Sequence, residues 1–242
     1  RDSFKYYERD MKVIEVDFEN MDFGVFDKKI NITPFLHEDE NKNFEIFEEI
    51  FLMQAASLRK RLNHIKQDKI ILGISGGLDS TLALISCHNA FKIMNIESKN
   101  ILAITMPGLG TSSRTKNNAI NLCNELNVTL KSIDITKAIK QHFLDIDQDE
   151  NLFDTTYENS QARERTQILM DLANKENALL IGTGDLSEIA LGFSTYNGDH
   201  MSMYNINCSI PKTLIKHLLK HYYENYNEST IVQNILIDII NT

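Results

Sequence analysis

No apolar run in this sequence reaches the roughly 18 residues that a membrane-spanning helix needs, and no charged-then-apolar leader precedes a small-residue cleavage site. A soluble protein is expected. Cysteine is also scarce: Cys87, Cys123 and Cys208 are the only three. Three thiols make neither a disulfide framework nor a zinc-ligand spacing, which points to a reducing compartment, the cytoplasm. Cys87 and Cys123 fall among apolar neighbours in helical patterns and read as core thiols rather than nucleophiles. Positive charge is nowhere concentrated. The net charge is −9; residues 1–50 hold 14 acidic and 7 basic side chains, and the remaining 20 acidic and 18 basic ones nearly cancel. This argues against a nucleic-acid-binding face and suits a small phosphorylated ligand held by local basic residues. There is no internal repeat or low-complexity segment, and 242 residues suffice for one domain with a sizeable core and an appendage.

What is present centres on residues 69 to 85, KIILGISGGLDSTLALI. Ile70, Ile71, Leu72 and Ile74 make a short apolar run suited to a strand buried on both faces. Ser75-Gly-Gly-Leu-Asp-Ser80 comes next, and then an apolar pattern at helical spacing. A glycine pair between strand and helix lets the backbone turn sharply and aim several N–H groups at one point. The free amides and positive dipole end of the next helix add to an anion site. No Lys follows the glycines, so this is not the G-x-x-x-x-G-K-[ST] phosphate loop. Asp79 offers hard oxygen to Mg²⁺, and Ser75 and Ser80 offer hydroxyls to phosphate. An ordinary strand–helix turn with an Asp cap is the plainer alternative. Ser-Gly-Gly-x-Asp-Ser resembles the pyrophosphate loop of the N-type ATP pyrophosphatases, which cleave ATP between its α and β phosphates.

The rest of the chain supplies a frame for that loop. Met11–Phe18 alternates and is expected to be a strand ending a preceding domain, since the chain opens on Arg1 without an initiator Met. Phe44, Phe47, Phe51, Ala55, Leu58 and Leu62 mark a helix face leading into the strand at 69–74. Ile101–Met106, Val128–Ile133 and Ala178–Ile181 read as further strands, separated by helical patterns to Asn95 and Leu126 and from Ser160 to Lys175. Residues 145 to 159 read as an acidic, solvated, mobile loop. Helices near 211–223 and 229–240 close the chain, and residues 192 to 211 read as a substrate-facing loop. The alternation predicts an α/β fold: a three-layer, doubly wound parallel sheet of Rossmann-like type, with helices on both faces and ligands at the C-terminal strand ends. Gly108-Leu-Gly110 and Gly182-Thr-Gly184 each give G-x-G after a strand, but neither has the third Gly of a dinucleotide fingerprint.

Three further stretches narrow the family: MPGLGTSSRTKNNA from Met106 to Ala119, NSQARERT from Asn159 to Thr166, and IGTGDLSEIALGFSTYNGDHMSMYNINCSIPKT from Ile181 to Thr213. With the pyrophosphate loop, they resemble the synthetase domain of glutamine-dependent NAD⁺ synthetases. The resemblance implies a synthetase domain over residues 48–242, C-terminally incomplete, with residues 1–47 as the tail of a glutaminase domain and its linker. It implies amidation of deamido-NAD⁺ by ammonia through an adenylated carboxylate, with Mg²⁺ as cofactor, ATP as co-substrate, and a homodimer or higher homo-oligomer. Neither nucleic acid nor membrane is an expected partner.

By the same resemblance, Gly73, Ile74, Ser75, Gly76, Gly77, Leu78, Asp79 and Ser80 wrap the ATP phosphates, together with Thr183 and Lys212. Asp79 and Glu188 hold the metal. Asn159, Arg163, Glu188 and Phe193 contact deamido-NAD⁺, and Asp79, Lys212 and Asp199 serve catalysis, Asp199 beside the nicotinate and the ammonia position. Plainer roles stand beside these: Glu188 as a first-turn acid, Arg163 and Arg165 as a solvated helix face or a phosphate grip, Phe193 and Tyr196 as packing, and Lys212 as a helix-start residue. Ammonia-using relatives carry Lys at the position of Tyr196. The competing readings are another pyrophosphatase-loop amidotransferase, a tRNA-thiolating adenylase, which would want a nucleophilic Cys and a basic surface, and a nucleotide-binding and assembly domain without turnover.

Overall fold

Ile70–Gly73 forms β1, and its side chains divide between two faces, Ile70 and Leu72 to one core and Ile71 to the other. The computed structural model describes residues 31–110, 113–226 and 229–241. The chain divides into two units, residues 1–34 and 35–242, and every described helix and strand belongs to the second. The strand expected at Met11–Phe18 lies outside the described residues.

A long helix, α1 (Glu40–Ile65), precedes β1; Asp39 caps it by accepting the Asn41 N–H at 3.0 Å. Then come α2 (Leu78–Met94), β2 (Ile101–Thr105), α3 (Ser113–Glu125), β3 (Thr129–Ser132), α4 (Thr136–Asp145), α5 (Thr155–Glu176), β4 (Leu179–Gly182), α6 (Leu186–Leu191), β5 (Tyr204–Asn205), α7 (Lys212–Asn225) and α8 (Thr230–Ile240). Among the described residues all strand pairings are parallel, in the order β3-β2-β1-β4-β5. The predicted three-layer doubly wound α/β fold is therefore what the chain adopts. The first core, under α1, α2, α3, α7 and α8, collects Ile70, Leu72, Ala103 and Ile181 from the strands. The second, under α4 and α5, collects Ile71, Ile104 and Leu180. Strands buried on both faces explain the unbroken apolar runs that mark them in the sequence.

Four details depart from the sequence reading. Residues 145–159 are not one loop: α5 starts at Thr155, five residues before the expected start, because Asp154 accepts the Tyr157 N–H at 2.9 Å and caps it. Helix α4 has no counterpart in the sequence reading, its apolar face resting on only Ile135, Ile139 and Phe143. The stretch 192–211 contains the two-residue strand β5, held by pairing with β4 rather than by any period of its own. The first helix begins at Glu40, so the boundary drawn between residues 47 and 48 falls inside α1, where Phe47 already packs into the core.

Sequence neighbours β1 and β2 lie side by side, but β4 joins on the other flank of β1. The crossovers from β1 and from β4 therefore diverge at their C-terminal ends. In open α/β sheets this switch point is where a crevice opens.

Candidate functional site

After β1 the chain turns through Ser75-Gly76-Gly77 into α2. Gly76 has φ +86°, and a Cβ there would lie 2.1 Å from the Thr115 carbonyl oxygen, so the turn accepts no side chain. Gly77 is the N-cap of α2 and supplies no side-chain acceptor, which leaves the helix's first amides for a ligand. The loop is held open from within. Ser75 N–H donates to Ser80 Oγ at 3.3 Å, the two hydroxyls lie 3.0 Å apart, Ser80 Oγ–H donates to the Gly77 carbonyl at 3.2 Å, and Gly77 N–H donates to Ser75 Oγ at 3.2 Å. In this state the two serines shape the loop.

Across the switch point, β4 ends in Thr183-Gly-Asp-Leu and α6 begins. Asp185 and Glu188 form a reciprocal cap: Asp185 Oδ1 accepts the Glu188 N–H at 2.8 Å and Glu188 Oε2 accepts the Asp185 N–H at 3.2 Å. Lys212, the first residue of α7, points its ammonium into this corner. Its Nζ lies 2.7 Å from Asp79 Oδ2, 2.9 Å from Asp185 Oδ2 and 3.3 Å from Glu188 Oε1. Burial raises the Asp79 pKa above the usual carboxylate range, further helped by the Asp185 charge and only partly opposed by Lys212. Burial also acts to raise Asp185, but the Glu188 N–H and Lys212 outweigh it and the pKa falls. The Lys212 pKa is raised: desolvation works against its charge, and the hydrogen bonds and charges of Asp79, Asp185 and Glu188 prevail.

The three carboxylates each offer an oxygen within 4.8 Å of the others. Asp79 Oδ1 is buried with no hydrogen-bond donor. A hard divalent cation fits such an oxygen set, and the unpaired Asp79 oxygen is the group that gains most from one.

Two clefts meet over this corner. One, of about 460 Å³, runs between the ends of β1, β2 and β4 and the flank of α5, lined by Ile74, Met106, Leu169 and Thr183 among others. The second, of about 390 Å³, lies over Asp79, Glu188 and the loop after α6. Ser75, Ser80, Thr183 and Asp199 line both, so together they form one bent site with an apolar arm and a charged arm.

The structure brings Gly73, Ile74, Ser75, Asp79, Ser80, Thr183, Glu188, Asp199 and Lys212 to this bend. Asn159 and Arg163 lie beside it rather than in it: Asn159 Oδ1 accepts the Thr195 hydroxyl at 2.7 Å, and Arg163 Nε donates to the Tyr196 carbonyl at 3.0 Å. Both thus brace the loop of residues 192–203. Phe193 and Tyr196 are 78% and 82% exposed on that loop and line neither cleft. It is Arg165, two residues on from Arg163, that faces the apolar arm, its Nε donating to the Met106 carbonyl at 3.3 Å. Burial lowers its pKa, opposed by Glu158, yet a guanidinium remains charged at neutral pH.

Two site residues are missed by the sequence reading. Asp185 is legible in hindsight: Asp-x-x-Glu after an apolar strand is the pattern of a reciprocal cap. Asn207, fully buried behind the loop, carries no comparable signal, since nothing in a local pattern tells a buried Asn from a turn residue.

The family model described as NAD synthase matches residues 51–230. A glutamine-dependent NAD(+) synthetase from Mycobacterium leprae is 42% identical over 195 residues, covering 78% of this chain and 29% of that protein. The solved glutamine-dependent NAD⁺ synthetase of Acinetobacter baumannii, in complex with ADP, superposes with a TM-score of 0.70 at 27% identity, over 78% of this chain and 35% of that one. The NH3-dependent NAD synthetase of Campylobacter jejuni gives 0.65 at 28% identity, over 78% of this chain and 77% of that one. The chain thus spans about 30% of the length of its glutamine-dependent relatives.

Proposed function

The chain belongs to the NAD synthase family, and on that premise we propose that it converts deamido-NAD⁺, ATP and ammonia into NAD⁺, AMP and pyrophosphate. The observation that carries this reading is the single bend at which the Ser75–Ser80 loop, the Asp79–Lys212 corner and the apolar cleft converge. A carboxylate is a poor acylating group because its leaving group would be oxide or hydroxide. Attack of a nicotinate carboxylate oxygen on the α phosphorus forms a new P–O bond and breaks the bond to the bridging oxygen, releasing pyrophosphate. Ammonia then adds to the activated carbonyl, the C–O bond to AMP breaks, and a proton leaves the nitrogen.

This assigns the apolar arm to adenosine and the α2 amides to the departing pyrophosphate, with Lys212 and Arg165 supplying positive charge from opposite sides. Catalysis is chiefly positioning and charge stabilisation. Mg²⁺ held by Asp79 and Glu188 would neutralise phosphate charge. The charged arm and the loop braced by Asn159 and Arg163 take the nicotinate end, with Phe193 supplying an aromatic surface and Asp199 lying where ammonia arrives. In this reading residues 48–242 are the synthetase domain and residues 1–47 the end of a glutaminase domain with its linker, α1 bridging the boundary. The protein works in the cytoplasm as a homodimer or higher homo-oligomer. A nucleotide-binding module without turnover is the less favoured alternative, because this chain covers most of an NH3-dependent synthetase.

The test is AMP and pyrophosphate release with MgATP, deamido-NAD⁺ and ammonium, with Asp79→Asn as control. Release that needs both co-substrates and is lost in the variant is expected. Folded protein that neither binds ATP nor releases pyrophosphate would overturn the reading.

A further inference from the structure

Asn207 is fully buried between the two halves of the site, and its polar groups are engaged. Its Nδ2 donates to the backbone carbonyl of Asp79, in the first turn of α2, at 2.9 Å, and to that of Thr183, at the end of β4, at 3.2 Å. One amide group therefore spans the switch point. Because two carbonyl oxygens face it, the nitrogen must sit on that side, which fixes the orientation of the amide. Its Oδ1 in turn accepts from Gln54 Nε2 at 3.4 Å, and its own backbone N–H donates to Asn205 Oδ1 at 3.2 Å.

Gln54 belongs to α1, some 150 residues earlier in the chain, and is itself buried. Its Nε2 also donates to the Ile206 carbonyl at 3.0 Å, and its Oε1 accepts the Ser86 hydroxyl of α2 at 2.8 Å. The amide orientation of Gln54 is thus set by a donor on one side and acceptors on the other. The chain of bonds runs from α1 through Gln54 and Asn207 to the backbone of Asp79 and of Thr183. Neither side chain lines either cleft.

We propose that Asn207 is a positioning residue that sets the distance between the α2 first turn and the β4 end, with Gln54 of α1 locking its amide in the productive orientation. The inference rests on the reading that ATP phosphates lie between those two elements. Removing this buried amide leaves the Thr183 carbonyl without its Asn207 donor and cuts the bond that ties the Asp79 carbonyl to a neighbouring segment, although that carbonyl keeps the Ala83 N–H at i+4 spacing within α2. The natural relief is for α2 and the Thr183 loop to shift apart. A misplacement of that kind is large on the scale that phosphate positioning tolerates. Gln54 adds a second consequence: a change at one α1 residue reaches the nucleotide loop without touching ligand.

The experiment measures MgATP binding by calorimetry, and the KM for ATP and kcat where turnover is present, in wild type, Asn207→Ala, Gln54→Met and Leu236→Ala. Leu236 lies in the core under α8, takes no part in the bond chain, and serves as a control for general destabilisation. At a temperature where circular dichroism shows all four folded, Asn207→Ala should bind MgATP at least tenfold more weakly. Gln54→Met should lie between it and wild type, and Leu236→Ala should bind as wild type despite a lowered Tm. If Asn207→Ala does not fold, Gln54→Met carries the test alone, with weakened binding expected. Wild-type ATP affinity in the folded variants would overturn the positioning role and leave the ATP site standing. Absence of ATP binding by wild type would overturn the underlying reading, and this proposal with it.

Discussion

A methyl group on Gly76 would meet the Thr115 carbonyl oxygen at 2.1 Å and would have to be carried at φ +86°. The left-handed backbone alone costs about 1–2 kcal/mol for a residue with a Cβ, and the contact is with backbone, which cannot swing away. Gly76→Ala should therefore lower Tm by roughly 2–8 °C and weaken MgATP binding; a variant matching wild type in both would contradict this account of the loop. The cysteines give a second test at this scale. Burial pushes the Cys123 thiol up to about 12 and Cys87 higher still, while Cys208 is exposed. A thiol reagent at pH 8 should label one site in the native protein and all three in guanidinium chloride. Native labelling of two or more would contradict the core placement. Single residues are unevenly legible in the sequence. Gly76, Asp79 and Ser80 announce themselves because a tight turn and an anion restrict residue type locally. Asn207 does not, because its partners Asp79, Thr183 and Gln54 are distant in the chain.

Elements are legible where a period is long or a run unbroken. β1, β2 and β4 are visible as apolar runs because both their faces are buried. β3 is an edge strand with three of its four residues exposed, and only its β-branched and apolar neighbours, Val128 and Ile133, mark it. α4 escapes because three apolar residues over one face make a weak signal, and tertiary packing against α5 decides the matter. Helix α8 is pinned to α3 by side chains that no period could reveal. Arg114 Nε donates to Asp238 Oδ2 at 3.0 Å, and Asn118 Nδ2 to the same oxygen at 2.7 Å. These bonds, Arg114 first, hold the Asp238 carboxyl below its usual range. A depressed carboxylate stabilises the fold above its unfolded pKa of about 4 and loses that contribution as pH falls through the folded value. The Tm difference between wild type and Asp238→Asn at neutral pH should therefore narrow as the pH is lowered from about 4 towards 3. A difference that persists unchanged over that range would argue against the pinning role.

At the scale of the whole molecule, the fold explains how residues 79, 183, 188 and 212 come to one corner. Parallel strands deliver every strand–helix junction to the same edge of the sheet, and the reversal of strand order between β1 and β4 opens a crevice there. The first turns of α2, α6 and α7 then contribute Asp79, Glu188 and Lys212 from three directions. The layer architecture can be foreseen from alternating strands and helices, and the family from motifs at these junctions. The carboxylate–lysine network cannot, since its geometry depends on α7 returning across the sheet after β5. Nor does sequence say which arm of the bent site takes which end of a substrate.

If, as proposed, a carboxylate oxygen attacks the α phosphorus at the bend beside Asp79, oxygen transfer reads the step directly. Deamido-NAD⁺ carrying ¹⁸O in its nicotinate carboxylate would be turned over with MgATP and ammonium, and the AMP phosphate analysed by mass spectrometry. One ¹⁸O is expected in each AMP formed and none in pyrophosphate. Unlabelled AMP, or ADP with labelled orthophosphate, would contradict it.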